Sequence, residues 1–289
     1  MKITGATKVV GVFGDPVEHT VSPAMHNAAF AAMGIDMVYL PFRVFAEPSD
    51  ELGGAIKGIR AMNMRGVNIT IPHKENAIKY LDEVDEHAAE IGAVNTVVNK
   101  NGLLIGYNTD GPGYLLSLRK YTGFIPAGKR VLIFGAGGAS RAIVYAILAA
   151  RPASLLIANR TIERAAALKD AFGGKFKDVE VKVTAPESDL SREFAKEADL
   201  VVNATPLGMG GKGAPVIPVE DLSESAVVSD IVYTPLETGF LKRAKERGLK
   251  THDGLSMLVK QGAVTFELWT GERAPLDIMR KAALQALSH

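Results

Sequence analysis

The sequence of 289 residues contains no cysteine. This absence excludes disulfides, thiolate catalysis, and zinc or iron–sulfur sites built on cysteine, and it is compatible with a reducing compartment. Neither sign of charge dominates, because 33 lysine and arginine residues stand against 32 aspartate and glutamate residues. The chain therefore lacks the electrostatic signature of a nucleic-acid partner or of an anionic membrane surface.

Long hydrophobic runs are also missing. No apolar segment approaches the roughly 20 residues of a membrane helix, and the first residues, MKITGATKVVGVFG, contain no sustained apolar stretch of the kind found in signal peptides. We therefore expect a soluble protein of cytoplasmic location, and the sequence leaves a monomer and a homodimer open. The histidine and acidic residues show no metal-ligand spacing, so no metal is expected.

Apolar strand-like runs alternate with segments of helical period along nearly the whole chain, which is the pattern of an α/β protein. The length favours two domains. The pattern changes near residues 111–113, so we predict an N-terminal α/β substrate domain of residues 1–110, completed by C-terminal helices at 254–289. An inserted Rossmann-like dinucleotide-binding domain is predicted at 111–253, with a cleft between the two domains as the default ligand site.

The segment VLIFGAGGASRAI places a glycine-rich turn between a buried-type strand and a helix. Gly137 and Gly138 allow the backbone to approach a pyrophosphate, and a helix that begins near Ala139 directs its N-terminus at the same point. Ser140 occupies the third position of the fingerprint, where glycine or alanine is usual. The glycine spacing alone is a weak motif, but its position between strand and helix favours dinucleotide binding over an unoccupied tight turn.

The next strand, LLIANRT, carries no acidic residue at its tip. An NAD site places a carboxylate there to accept from the ribose hydroxyls, whereas this chain has Asn159, Arg160 and Thr161. Arg160 can pair with a ribose phosphate in a bidentate manner, and Arg164 adds a second charge one turn later. The sequence therefore predicts NADP rather than NAD, the alternative being that Arg160 is a solvated turn residue.

A second stretch of interest, NITIPHKEN, combines a polar strand face with Lys74. Reduction of a carbonyl requires a proton for the oxygen, and a lysine can donate it or stabilise the developing alkoxide. Asp110, in YNTDGPG at the end of a predicted strand, is a candidate partner, and a nearby carboxylate favours the charged form of lysine. Taken alone, a lysine at this position is more often a solvated surface residue.

Polar residues on several strand-like segments change that balance. Asn68, Thr70, Asn95 and Asn108 all lie on strand-like segments that end near the same region, although asparagine is depleted in strands. Their convergence indicates a polyhydroxylated ligand, whose hydroxyls need donors and acceptors at fixed positions. The alternative is turn and capping chemistry, above all at Asn108.

The motifs NITIPHK, IGAVNT, GYNTDGPG, GAGGASRA, NRT and DGLSMLVKQG follow one another in this order and resemble the shikimate dehydrogenase family. GDPVEHTVSPAMHN, NATPLGM and DIVYTPLET match the same family, so the resemblance covers essentially the whole chain. It implies the reduction of 3-dehydroshikimate to shikimate with NADPH, on the route to aromatic amino acids.

The resemblance also implies roles for individual residues. The catalytic lysine matches Lys74, and its partner aspartate matches Asp110. The contacts with shikimate match Thr20, Ser22, Asn68, Thr70, Asn95, Tyr233 and Gln261. The cofactor contacts match Glu86, Gly135, Ala136, Gly137, Gly138, Ala139, Asn159, Arg160, Thr161, Arg164, Thr205, Ile231 and Gly254.

One position departs from the family pattern, which usually reads His-Ser-x-Ser-Pro, because this chain has Thr20 in place of the first serine. A methyl group in a tight pocket is worth about 1–3 kcal/mol of discrimination, so the relative activity on quinate stays open. The alternatives are a broader quinate/shikimate dehydrogenase, a methylenetetrahydrofolate dehydrogenase, and a catalytically silent sensor of shikimate or NADP. The NRT clamp argues against the NAD-preferring quinate/shikimate branch.

Overall fold

The structure, a computed structural model, describes residues 3–46, 51–213 and 215–288. Its contacts divide the chain into two compact units, one formed by Met1–Gly113 with Val259–His289 and the other by Tyr114–Leu258. Each unit contains one six-stranded sheet covered by helices. None of the helices formed by the described residues is long and apolar enough to cross a bilayer.

The sheet of the first unit is mixed. Its elements in chain order are β1 Lys8–Gly14, α1 Ser22–Met33, β2 Met37–Arg43, α2 Glu51–Ala61, β3 Gly66–Ile69, β4 Glu83–Val84, α3 Glu86–Ile91, β5 Thr96–Lys100 and β6 Leu103–Tyr107, followed by α4 Asp110–Thr122. The strand order is β2-β1-β3-β5-β6-β4. β1 pairs in parallel with β2 and β3, whereas β5 is antiparallel to both β3 and β6.

The strand-like segments AVNTVV and LLIGYN predict a hairpin around residues 100–102. The structure confirms it, because Lys100 pairs with Leu103 in the antiparallel β5–β6 ladder. Asn101 and Gly102 have φ of 55° and 96° and form its two-residue turn, a conformation that asparagine and glycine adopt most easily. Through this hairpin the chain returns β6 to the sheet beside β5. The end of β6 therefore lies beside the start of β5, where Asn95 precedes the strand.

The sheet of the second unit is entirely parallel. Its elements are β7 Arg130–Phe134, α5 Gly138–Ala149, β8 Ser154–Ala158, α6 Ile162–Gly173, β9 Glu180–Thr184, α7 Asp189–Ala195, β10 Leu200–Asn203, β11 Val227–Asp230, α8 Gly239–Glu246 and β12 Lys250–His252. The order β12-β11-β10-β7-β8-β9 is the doubly wound Rossmann order. The order reverses between β7 and β10, and at such a switch point ligands bind beyond the carboxyl ends of the strands.

Both sheets pack against their helices through apolar side chains. In the first unit α2 directs Ile56 and Ile59 onto Val67 and Val97 of the sheet, and all four side chains are essentially inaccessible. The strands of the second unit read as continuous apolar runs, such as VLIF in β7, because helices cover both faces of a parallel sheet. The last two helices are α9 Gly254–Thr270 and α10 Leu276–Leu287, and α10 packs on α1.

The segment HKENAIKYL predicts the start of a helix. The structure corrects this prediction, because the segment contains only a short 3-10 turn at Asn76–Tyr80. Leu81 is already extended, with φ −98° and ψ 153°. The amide of Asp82 then donates to the carbonyl of Leu104, and β4 pairs with β6 directly afterwards. Sheet pairing therefore ends the helical turn.

Two helix starts also differ from the prediction. The segment SPAMHNAAFAAMG predicts a helix with Ser22 as its N-cap. In the structure Ser22 is the first helical residue, and the N-cap is Val21, which makes no side-chain cap. The hydroxyl of Thr20 accepts from the amide of Ser22 at 3.3 Å instead. Asp110 is not at the end of a strand, because β6 ends at Tyr107 and Asp110 begins α4.

Candidate active site

Lys74 and Asp110 form a direct ion pair in the first unit. Lys74 Nζ lies 2.5 Å from Asp110 Oδ2, and the two side chains are only 13% and 7% exposed. The carbonyl of Lys74 accepts from the amide of Val94 at 2.8 Å, which fixes the loop after β3 to the segment before β5. A charge-assisted hydrogen bond in such a shielded place is shorter and stronger than a neutral one. The lysine is therefore held in one position.

Asn95 fixes the second oxygen of this carboxylate. Its Nδ2 donates to Asp110 Oδ1 at 2.9 Å, and its Oδ1 accepts from the amide of Thr109 at 2.8 Å. Asn108, in turn, accepts from the amide of Asp110 at 3.1 Å and donates to the carbonyl of Ala93. Asn108 therefore has the capping role that was the alternative to ligand binding, while Asn95 orients Asp110.

Helix α9 brings Gln261 to the same place. Its Oε1 accepts from Thr109 Oγ1 at 3.3 Å and lies 3.5 Å from Asn95 Nδ2. The approach of α9 to α4 depends on Gly113, because a Cβ there would lie 2.6 Å from the backbone nitrogen of Gln261. A glycine is thus required where the two helices cross beside Asp110.

Asn68 lies in a buried hydrogen-bond network with residues that were not predicted from the sequence. Its Oδ1 accepts from the hydroxyl of Tyr39 at 2.9 Å, and its Nδ2 donates to Thr96 Oγ1 at 3.0 Å. Thr265, on α9, connects Thr96 at 2.9 Å to Thr109 at 3.1 Å. Thr265 follows Gln261 by four residues and so shares its helix face, a spacing from which it could have been found.

The remaining predicted substrate residues of the first unit follow the carboxyl ends of β1 and β3, which are neighbouring strands. Thr70 donates its amide to the carbonyl of Phe13 at 2.9 Å, and its methyl group lies directly over Gly14, where a Cβ would collide with it. Ser22 is buried and Thr20 is half-buried. Their hydroxyls therefore lie at the same end of the sheet as Asn68.

In the second unit the glycine turn connects β7 to α5. Gly135 has φ 113°, and a Cβ there would lie 2.7 Å from the carbonyl oxygen of Ala204. Around Gly137 the space is open, since a Cβ would meet nothing within 4 Å. Ser140 is buried and donates to the carbonyl of Gly135 at 2.6 Å. The serine therefore shapes the turn from beneath, while residues 135–139 present backbone at the N-terminus of α5.

The NRT segment lies at the carboxyl end of β8. Asn159 Nδ2 donates to the carbonyl of Thr161 at 2.7 Å and closes the loop before α6. Arg160 and Arg164 are exposed, and within the part of the chain that the structure describes neither is paired with a carboxylate. Two guanidinium groups are therefore available to an anionic ligand beside the glycine turn.

Three further predicted residues follow the ends of β10 and β11. Thr205 donates to Asn203 Oδ1 at 2.6 Å, and its methyl group would contact a Cβ on Gly135 at 3.2 Å. The backbone of Ile231 lies directly over Gly254, which begins α9 and has no room for a side chain. Burial raises the pKa of the half-buried Tyr233.

Glu86 lies apart from the glycine turn in sequence and in element. It is exposed in the first turn of α3, a helix of the first unit whose N-cap Asp85 accepts from the amide of His87. Over residues 3–46, 51–213 and 215–288, no group of three or more histidine, aspartate or glutamate side chains is arranged to hold a metal ion.

Comparison with protein families gives three consecutive matches. Residues 12–97 match the shikimate dehydrogenase substrate binding domain, residues 122–208 match the family described as shikimate/quinate 5-dehydrogenase, and residues 254–284 match the shikimate 5'-dehydrogenase C-terminal domain. A curated relative, the NADP(+) shikimate dehydrogenase of Symbiobacterium thermophilum, is 48% identical over 285 residues, which cover 98% of this chain and 96% of the relative.

Solved structures agree with these matches. Shikimate 5-dehydrogenase from Thermus thermophilus, in complex with NADP(H) and shikimate, is 40% identical, with a TM-score of 0.85 and coverage of 96% of this chain and 99% of that one. A quinate dehydrogenase from Corynebacterium glutamicum, in complex with NAD, is 31% identical, with a TM-score of 0.90 and coverage of 96% and 99%. The fold is thus shared with enzymes of both specificities, and the identity is higher to the first.

Proposed function

The chain belongs to the shikimate dehydrogenase family, and from that premise we propose that it reversibly reduces 3-dehydroshikimate to shikimate with NADPH. The observation that carries this proposal is the shielded Lys74–Asp110 pair, with Nζ and Oδ2 2.5 Å apart beside amide and hydroxyl groups. Such an arrangement suits a polyhydroxylated substrate that needs a proton at a carbonyl oxygen. The first unit binds the substrate, and the second binds NADP.

The residues of the second unit fit NADP. The backbone of residues 135–139 holds the pyrophosphate at the N-terminus of α5, where Gly137 leaves open space. Arg160 and Arg164 bind the ribose phosphate, and no acid occupies the tip of β8 to oppose it. Thr205, Ile231 and Gly254 lie toward the nicotinamide. When bound, NADPH supplies the hydride.

Lys74 is the proton donor in the direction of reduction. Asp110 holds the ammonium group in place through the direct ion pair between Nζ and Oδ2. Asn95 and the ammonium group each bind one carboxylate oxygen, so the aspartate cannot rotate away. In the direction of oxidation the same lysine receives the proton from the substrate hydroxyl, directly or through a water.

The substrate is held by hydrogen-bonding groups at one end of the first sheet. Asn68, Thr70, Asn95 and Gln261 offer amides and a hydroxyl to its ring hydroxyls, since each such hydroxyl needs a donor or acceptor at a fixed position. Thr20 and Ser22 bind the carboxylate through their hydroxyls. Tyr233 is a further predicted contact with the substrate, Glu86 is a predicted contact with the cofactor, and both roles stay predictions.

An absorbance assay tests this function. Purified protein is mixed with shikimate and NADP, and the formation of reduced nicotinamide is followed, with quinate and NAD in parallel. We expect rapid reduction only with shikimate and NADP. Comparable rates with quinate or NAD would place the protein in the broader quinate/shikimate branch and make Thr20 the first residue to change. Binding of shikimate and NADP without reduction of the cofactor would refute the proposed enzymatic activity and would support a catalytically silent sensor.

Replacement of Lys74 by alanine tests the proton donor. We expect Lys74→Ala to lower turnover by about 10²–10⁴-fold, the usual contribution of a positioned acid or base. The fold is retained, because Asp110 keeps the amide of Asn95 and its place in the first turn of α4, where the helix dipole favours negative charge. Turnover and a thermal melt are measured together.

The matched control is Lys79→Ala, which removes an exposed lysine from the neighbouring 3-10 turn. Turnover of this variant should equal that of the unchanged protein. Near-normal turnover of Lys74→Ala would remove Lys74 from the mechanism. The monomeric or homodimeric state and the cytoplasmic location stay predictions, which gel filtration and cell fractionation would test.

A further inference from the structure

A buried carboxylate, Asp230, lies at the end of β11 and belongs to none of the predicted functional sets. Its side chain is fully inaccessible. Oδ1 accepts from Asn203 Nδ2 at 2.9 Å and from the amide of Val232 at 3.0 Å, and Oδ2 accepts from Thr238 Oγ1 at 2.7 Å. Asp230 therefore bonds to two loops, residues 203–210 after β10 and residues 231–238 after β11.

The first loop is shaped by Asn203, which Asp230 orients. Because Nδ2 of Asn203 donates to Asp230 and to the carbonyl of Leu207, its Oδ1 is left to accept. That oxygen receives the amide of Thr205 at 3.0 Å and its hydroxyl at 2.6 Å. The carboxylate therefore selects the amide orientation of Asn203 that places Thr205 beside Gly135.

The second loop begins and ends on the same carboxylate. Val232 follows Ile231, and Thr238 precedes α8, where its hydroxyl also caps the amide of Leu241. A backbone hydrogen bond from Gly210 to Thr234, at 2.7 Å, connects the second loop to the first. Both loops are thus closed around Asp230.

The buried carboxyl group of Asp230 depends on its three neutral hydrogen-bond donors. Burial raises the pKa of its carboxyl, and the three donors oppose that shift. Within the described part of the chain Asp230 makes no ion pair. A buried carboxylate that is compensated only by hydrogen bonds needs all of them, because each unmet acceptor retains its desolvation cost. Loss of any donor therefore disturbs both loops.

The strand order indicates which part of a dinucleotide these loops serve. Arg160 follows β8, on one side of β7, whereas Thr205 and Ile231 follow β10 and β11, on the other side. A dinucleotide with its pyrophosphate at the glycine turn and its ribose phosphate at Arg160 must extend its nicotinamide toward β10 and β11. The loops bound to Asp230 are therefore the nicotinamide-side loops.

We propose that Asp230 is a positioning residue that sets the conformation of the nicotinamide-side loops, 203–210 and 231–238, and so determines how tightly the nicotinamide half of NADP is bound. This inference rests on the proposed function of the second unit. It assigns Asp230 no contact with the reacting atoms. Its effect passes through Asn203 and Thr238 to Thr205 and Ile231.

The experiment compares two ligands by calorimetry on the full chain. NADP+ occupies the whole site, whereas adenosine 2′,5′-bisphosphate occupies only the Arg160 end. In Asp230→Asn an NH2 group replaces one acceptor oxygen and faces a donor. We expect the Kd of NADP+ to rise about tenfold, since a buried hydrogen bond to a charged group is lost, and the Kd of the bisphosphate to stay unchanged.

Two substitutions of Thr238 test whether the hydrogen bond to Asp230 is what maintains NADP+ affinity. Thr238→Ser keeps the hydroxyl and should bind NADP+ as the unchanged protein does, whereas Thr238→Val loses the donor and should repeat the selective loss. This pair carries the test if Asp230→Asn does not fold. Equal weakening of both ligands, or equal affinities of the serine and valine variants, would overturn the proposal. Failure of the unchanged protein to bind either ligand would instead refute the proposed function.

Discussion

At the scale of single residues, we propose that the choice between NADP and NAD depends on Arg160. The side chain is exposed after β8 and is not paired with any described carboxylate. We expect Arg160→Ala to raise the KM for NADP about 10–100-fold, because hydrogen bonds to charged groups contribute roughly 1.5–3 kcal/mol, and to leave the KM for NAD unchanged. Initial rates at varied cofactor concentration measure both constants.

Arg192→Ala is the matched control, since Arg192 is an exposed arginine on α7. It should leave both KM values unaltered. An equal rise of the two constants in Arg160→Ala would mean that the arginine supports the loop rather than the phosphate. A further fall in affinity in Arg160→Ala with Arg164→Ala would indicate that the second arginine shares the charge.

The sequence indicated many of the residues that the structure brings together, but it did not indicate the hydrogen bonds that position them. Asp110 contacts both Lys74 and Asn95. The motifs that contain these three residues were recognisable in the sequence. Thr265 escaped because its effect is long-range. It connects Thr96 and Thr109 across 169 and 156 residues of chain. Its spacing from Gln261 places it on the same helix face, but the sequence does not show which hydroxyls it meets there. The roles assigned to the site residues stay predictions.

At the scale of elements, the crossing of α4 and α9 is the contact that places Asp110 beside Gln261. A Cβ on Gly113 would lie 2.6 Å from the backbone nitrogen of Gln261 and 2.7 Å from its Cα. Backbone cannot give way as a flexible side chain does, so we expect Gly113→Ala to lower the free energy of unfolding by about 1–3 kcal/mol. Turnover should fall as well, because Asp110 or Gln261 must move.

Gly54→Ala provides the comparison, because Gly54 is also helical but a Cβ there meets nothing within 4 Å. In this variant stability should rise by about 0.5–1 kcal/mol, the usual gain of alanine over glycine in a helix. Urea unfolding and turnover are measured for both. Equal stability of the two variants would show that the helices can separate at no cost.

Elements with a clear apolar period were predictable, and short ones were not. The strand–turn–helix unit of β7 and α5 stands out because a continuous apolar run is followed by glycines. Helices α3 and α7 have only six and seven residues, too few for a period to show. Their capping residues, Asp85 and Ser188, were nevertheless present as a signal.

The helix predicted after Lys74 was wrong for a different reason. Its sequence has helical propensity, but pairing of residues 83–84 with β6 draws the chain into the sheet directly after the 3-10 turn. Tertiary pairing overrides local propensity in such a short segment. This outcome is not visible in the segment itself, because the partner strand lies about twenty residues further along the chain.

At the scale of the whole molecule, burial lowers the pKa of a histidine in each unit, His26 in the first and His252 in the second. The ring of His26 stacks on Tyr39, with centroids 4.6 Å apart, and burial lowers its pKa from 6.5 to about 3. His252 lies between Ser117 and Ser229, and burial lowers its pKa to about 4 against the opposing effect of Asp253. Both rings therefore stay neutral in the folded chain at pH values where an unfolded chain protonates them.

The sign of the resulting pH dependence follows from linkage. A folded pKa below the unfolded value gives stability that is complete above pH 6.5 and is lost as the pH falls toward the folded pKa. Each histidine contributes a slope of up to about 1.4 kcal/mol per pH unit inside that window. The carboxyls with lowered pKa, Asp15, Glu18 and Asp82, have ordinary values of 3.8 to 4.5 and lose their contribution mainly below those values, so the range from pH 6.5 to 4.5 reports chiefly on the histidines.

His26 gives the cleaner test, because in the second unit the raised pKa of Asp230 opposes the effect of His252. We expect His26→Phe, which keeps a flat ring against Tyr39 but cannot take up a proton, to flatten the fall in stability of the first unit between pH 6.5 and 4.5. His87→Phe changes a histidine that is 70% exposed and should leave the slope intact.

Urea unfolding across this range, followed by the fluorescence of Trp269, measures the slope in the first unit. Parallel curves for His26→Phe and the unchanged protein would show that the acid sensitivity arises elsewhere. A flattened curve would show that a neutral ring, buried beside the tyrosine that donates to Asn68, sets the lower pH limit of the first unit.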